Sequence, residues 1–113
     1  MVASGSPTTA RVRDLNDQLR KHRIVERVVM TQSIAALGQE MVMRVDQAVR
    51  AFDVFTADNN PYGEHDFGTV QVEEHVVMFK IDYYDIDLQY ASPDPTDPGV
   101  TCRVMTIMLG NEY

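Results

Sequence analysis

The chain is poor in several things that would have made it easy to classify. It has one cysteine, Cys102, and no tryptophan. A lone cysteine excludes an internal disulfide, and its place in an apolar run predicts a buried thiol in a reducing compartment. No apolar stretch comes near the length of about 20 residues that a membrane-spanning helix needs. The opening MVASGSPTT lacks the apolar core of a signal peptide. A cytoplasmic chain with no membrane partner is therefore expected. There is no glycine-rich phosphate loop, no dinucleotide fingerprint and no zinc-ligand spacing, so no cofactor is expected. No serine or cysteine sits in a nucleophile elbow, and Cys102 has only Arg103 as a basic neighbour. No residue is assigned a catalytic role.

Cations are also scarce, but only in one half. Residues 1–50 hold eight Lys/Arg against five Asp/Glu, a net +3, whereas residues 51–113 hold two against twelve, a net −10. Phosphates need cations, so the second half is not expected to bind nucleic acid directly. Its charge suits a basic protein partner, a divalent cation or the chain's own basic half. What is present otherwise is ordinary: 113 residues, 44% hydrophobic and 24% charged, enough for one modest core. The expectation is a disordered N-terminus over residues 1–8 and a single α+β domain over 9–113.

Along the chain, Thr8 or Thr9 reads as the N-cap of a first helix with Val12, Leu15 and Leu19 on its inner face. Arg11, Arg13, Arg20 and Lys21 read as its solvated basic face. Ile24 to Met30 reads as a strand, and Ile34 to Leu37 as a short helical turn. From Gly38 a longer helix is predicted, since Met41, Val45, Ala48, Phe52 and Phe55 recur at spacings of four and three. TADNNPYG (56–63) is a loop signal, and ASPDPTDPG (91–99) holds three of the five prolines and cannot be regular structure. Thr101 to Leu109, apolar on both faces near its end, suits a central strand.

The clearest pattern lies between. Phe67 to Val72 and the alternating run Val77, Phe79, Ile81, Tyr83 are two strands separated by Glu73-Glu74-His75, an antiparallel hairpin. The predicted architecture is α+β: helix, strand, helix, then three strands, with two helices on one face of a four-stranded, mainly antiparallel sheet. The hairpin would bring Glu64 and Asp66 close to Asp82, Asp85 and Asp87. With Tyr84 and with Asp94 and Asp97 of the proline-rich loop, these form the candidate partner-binding set. A second reading takes Asp66, Asp82, Asp85 and Asp87 as ligands for a hard divalent cation in a phosphate-ester enzyme. Against it, Asp82 lies an odd number of residues from Asp85 and Asp87 and would face the other way in a continuous strand. His65 beside Asp66 reads better as a hydrogen-bonded structural histidine than as a general base.

The blocks FDVFTADN (52–59), GEHDFG (63–68), KIDYYDIDLQY (80–90), DPTDP (94–98) and RVMTIML (103–109) together resemble a small bacterial family known only as a domain of unknown function. The family is common on plasmids and other mobile elements. The resemblance implies no activity and no catalytic residues. It does supply a context, because small acidic proteins of mobile elements often interfere with host defences or serve plasmid upkeep. The expected function is thus a non-enzymatic acidic inhibitor, of the anti-CRISPR or anti-restriction kind. It would engage a basic nucleic-acid-binding protein or nuclease complex, with a homodimer also allowed.

Overall fold

A computed structural model describes residues 7–22, 27–56, 60 and 62–113. The elements run α1 (Pro7–His22), β1 (Val28–Met30), α2 (Gln32–Ala35), α3 (Gln39–Ala51), β2 (Phe67–Val72), β3 (His75–Tyr84) and β4 (Cys102–Leu109), with a 3₁₀ turn over Gly110–Glu112. Pro7 opens α1, a position where its missing N–H is not needed. Thr8 and Thr9, expected as caps, therefore lie inside the first turn. Of the strand expected over 24–30, residues 24–26 fall outside the described residues. So do residues 1–6, most of the terminus expected to be disordered.

The sheet order is β1-β4-β3-β2, which makes β4 central, as its apolar ending suggested. The β2–β3 and β3–β4 pairs are antiparallel, while β1 runs parallel to β4 with Val28 opposite Met105. The sheet is thus mainly antiparallel, as expected, and mixed through its one parallel pair among the described residues. Between β1 and its neighbour β4 the chain passes through α2, α3 and the hairpin, and such a crossover allows parallel entry. Among the described residues the two expected helices are joined by a third, because the short helical turn expected at 34–37 forms over 32–35 and is capped as a helix in its own right. Thr31 accepts a hydrogen bond from the Ile34 backbone N–H there.

The hairpin closes through a two-residue turn, with Val72 opposite His75 and Glu73 held at a left-handed φ of 56°. Strand alternation then sorts the sheet into two faces. Gly68, Val70, Val72, Val77, Phe79, Ile81, Met105 and Ile107 share one face. They form a single core with Leu19, Ile34, Val45, Val49 and Phe52 from the helical layer. Phe67, Thr69, Lys80, Asp82, Tyr84, Cys102, Val104 and Thr106 share the other face, which no α-helix of the described residues covers. Cys102, expected to be buried, is half-exposed there. The exception on this face is the pair Met78 and Met108, opposite each other in register and both buried.

Gly68 is where sheet and helical layer come closest. A Cβ at that position would lie 2.5 Å from Phe79 Cε2 and 2.8 Å from Phe52 Cε2. Those two rings meet edge-on at 5.5 Å, and Phe52 meets Phe55 likewise at 4.9 Å. Gly68→Ala should therefore overpack the core and cost about 1–3 kcal/mol in urea denaturation while leaving the chain folded. An unchanged midpoint would mean that the rings can move aside.

Candidate functional site

Helix α1 buries polar side chains along with apolar ones. Asn16 and Arg20, one turn apart, lie on the same face as Val12 and Leu19, and all four are buried. The expectation of a solvated basic face fails at Arg20. Its guanidinium points inward and caps the C-terminal end of α3, donating to the carbonyls of Val49 (3.1 Å), Arg50 (3.3 Å) and Phe52 (2.5 Å). A helix C-terminus leaves such carbonyls without intrahelical partners and carries partial negative charge, so a cation is well placed there. Arg20 also pairs with Asp17 at 3.1 Å and lies over the rings of Phe55 and Phe79.

Asn16 makes a second junction, at the end of the sheet where β3 finishes. Its Nδ2 donates to the Glu64 carbonyl (3.0 Å) and to the Tyr83 hydroxyl (2.7 Å), and its Oδ1 accepts from Arg103 Nε (2.9 Å). The Tyr83 hydroxyl in turn donates to Glu64 Oε1 at 2.8 Å. Arg103 lies over the Tyr83 ring and donates to the Pro95 carbonyl. Burial pushes the Tyr83 phenol well above its ordinary range and pushes the Arg103 guanidinium down. His65, at a left-handed φ of 56°, sets its Nδ1 3.0 Å from Asp17 Oδ1 and stacks flat on Phe55 at 3.8 Å. An imidazole oriented by a carboxylate can serve a general base. Here Asp17 is shared with Arg20, whose guanidinium already engages its carboxylate. The pair works as a clasp between α1 and the segment entering β2, the structural role expected of His65.

The eight candidate residues gather at this same end of the sheet, but in three groups. Glu64 is engaged by Tyr83. Asp66 is half-buried, and burial first, then the nearby charges of Glu64 and Asp82, raise its carboxyl above the usual range. Asp82, on the uncovered face, pairs with Lys80 at 3.1 Å. Tyr84, on the same face, stands opposite Cys102. Asp85 and Asp87 belong to the loop following β3. That loop is closed by the Asp85 N–H donating to the Tyr90 carbonyl and the Leu88 N–H donating to the Asp85 carbonyl. Asp94 and Asp97 lie in the proline-rich loop, where each accepts from a backbone N–H two residues on (Thr96 and Gly99). Among the described residues, Asp85, Asp87, Asp94 and Asp97 meet no cation. Other acids lie elsewhere: Glu73 and Glu74 at the far hairpin turn, and Glu112 after β4. Nor do three or more His, Cys, Asp or Glu side chains among the described residues converge as a metal site would need.

The sequence reading missed Asn16, Asp17, Arg20 and Arg103 as members of this end of the molecule. A signal for two of them existed, because Asn16 and Arg20 share the helical face of Val12 and Leu19. Arg103 carried a similar signal, since it alternates with Met105 and Ile107 along β4. No helix of the described residues is long and apolar enough to cross a membrane.

A family model described as "Protein of unknown function (DUF3768)" matches residues 30–112. Neither the curated proteins nor the solved structures yield a match.

Because the folded state keeps the Tyr83 proton above the ordinary value of 10.0, unfolding at high pH releases it. This contribution to stability is complete below that value and is lost as pH rises beyond it. Urea denaturation between about pH 9 and about pH 11 should show a steeper loss for the natural chain than for Tyr83→Phe. Equal slopes would mean that the phenol is not held neutral by the fold.

Proposed function

The chain belongs to the family described as "Protein of unknown function (DUF3768)", and we propose that it is a non-enzymatic binding protein that offers the acidic end of its sheet to a basic partner. The observation that carries this reading is how the cations reaching that end are used. Arg11 donates to the Thr96 carbonyl, Arg13 to the Gly63 carbonyl and Arg103 to the Pro95 carbonyl. These arginines thus fasten main chain at that end, while Asp85, Asp87, Asp94 and Asp97 keep their charge without an ion-pair partner among the described residues. Carboxylates on two neighbouring loops imitate a short run of phosphates, and a groove built for nucleic acid would attract them. The loop after β3 adds apolar contacts: Ile86 is 58% exposed, Leu88 41% and Tyr90 73%. Exposed aromatic and aliphatic anchors beside charge are what a protein interface uses.

The partner class that fits is a nuclease or other nucleic-acid-binding complex, and the role is inhibition, in the manner of anti-CRISPR or anti-restriction proteins of mobile elements. The reading of Asp66, Asp82, Asp85 and Asp87 as a metal centre in a phosphate-ester enzyme gains no support. Asp66 is half-buried, Asp82 is paired with Lys80, and the other two sit on a separate loop.

The test is binding to purified nucleases and nucleic-acid-binding complexes at low and high sodium chloride, with the natural chain and with Asp85→Lys/Asp87→Lys. Affinity should fall at least about tenfold on raising the salt and again on charge reversal. Binding that ignores both changes would remove the electrostatic reading.

A further inference from the structure

The sheet has two edges, and only one of them is guarded. β1 is three residues long, a length that gives an incoming strand little to pair with. β2 is six residues long and reads Phe-Gly-Thr-Val-Gln-Val, without a charge, a proline or a bulge, in a chain that is 24% charged. Natural edge strands are usually blunted by such devices. The pattern of hydrogen bonds shows which groups β2 leaves open. The Ile81 N–H donates to the Asp66 carbonyl, and the turn closes on the pair Val72 and His75. In an antiparallel ladder, bonded and non-bonded pairs alternate. Residues 66, 68, 70 and 72 therefore turn their main-chain groups toward β3, and Phe67, Thr69 and Gln71 turn theirs outward. No described residue bonds to those outward groups.

We propose that this edge is occupied by a second copy of the chain, β2 pairing antiparallel with β2 about a two-fold axis through Thr69. Centring on Thr69 is the register that pairs all three outward residues within the strand: Thr69 opposes its counterpart, and Phe67 opposes Gln71. Each opposed pair exchanges both main-chain bonds, and the two sheets become one continuous sheet. The occupant is a copy of this chain because the strand matches itself in polarity and in the parity of its free groups. Charge leads to the same choice. Each copy carries a net −7, and an uncharged edge strand lets two copies meet without opposing like charges in the ladder. Added salt, which screens the remaining repulsion, strengthens this association. The electrostatic binding proposed above weakens with salt, so the two are separable in one titration.

The experiment is analytical ultracentrifugation of the full chain over a range of concentrations and salt. The natural chain should approach twice the 12.8 kDa of one copy, more readily at high salt. Thr69→Pro removes an outward N–H that the β2–β3 ladder does not use, so it should give a folded monomer. Val70→Pro removes an inward N–H and should unfold the hairpin. A second test avoids any dependence on the proline variants. In a Cys102→Ser background, Thr69→Cys should cross-link on mild oxidation, since opposed Cα atoms about 5.5 Å apart are within disulfide reach. Gln71→Cys, which opposes Phe67, should not. A natural chain that stays at 12.8 kDa throughout, a dimer untouched by Thr69→Pro, or equal cross-linking at 69 and 71 would each overturn the proposal.

Discussion

The interaction on which the rest of the molecule depends is the burial of Arg20. Its side chain is fully enclosed and bonds to three carbonyls at the end of α3 and to Asp17. Hydrogen bonds from a charged donor contribute about 1.5–3 kcal/mol each, whereas exposed ion pairs such as Arg44–Glu40 contribute about 0–1. The comparison says which cation matters: α1 is held to α3 by a guanidinium that solvent does not reach. Phe55 and Phe79 flank that guanidinium, and Phe52 and Phe79 in turn press on Gly68. One polar anchor and one missing side chain together set how the helical layer lies on the sheet.

From that anchor the arrangement of the acidic end follows. With α1 fixed, Asn16 reaches the Glu64 carbonyl, Tyr83 and Arg103, and Arg11 and Arg13 reach the carbonyls of Thr96 and Gly63. The basic half of the chain does dock on the acidic half. It does so partly by bonding to main chain, as Arg11, Arg13 and Asn16 do, and partly through carboxylates, as in Arg44–Glu73 and Thr31–Glu112. The charge imbalance visible in the sequence is thus only partly paired off: Asp85, Asp87, Asp94 and Asp97 meet no cation among the described residues. These four lie on loops at one end, alongside exposed Ile86, Leu88 and Tyr90.

Much of the fold was legible because period-two and period-3.6 patterns report burial directly. Val77, Phe79 and Ile81 sit where their alternation put them, and the apolar end of β4 marked the centre of the sheet. The parallel β1 was not legible, because three residues carry no signal of direction and the pairing depends on a distant strand. Arg20 and Arg103 were misjudged or passed over because burial of an arginine depends on acceptors supplied by other elements: Val49 and Phe52 for one, Asn16 and Pro95 for the other. The candidate site was half legible. Its carboxylates could be named and the hairpin that gathers them foreseen. That Asp82 would pair with Lys80, two residues before it on the same strand, was within reach of the alternation; that Glu64 would be engaged by Tyr83 required the fold.

The central claim is that charge at the acidic end is left unbalanced in the folded chain. It is tested most directly by the denaturation midpoint as sodium chloride rises from about 0.01 M to about 0.5 M, a range that shortens the screening length several-fold. Unpaired carboxylates repel one another, so the account predicts a midpoint that rises with salt, and a rise that largely disappears when Asp85, Asp87, Asp94 and Asp97 are all changed to Asn. A midpoint that falls with salt, or one that responds identically in that variant, would show those charges to be balanced within the fold.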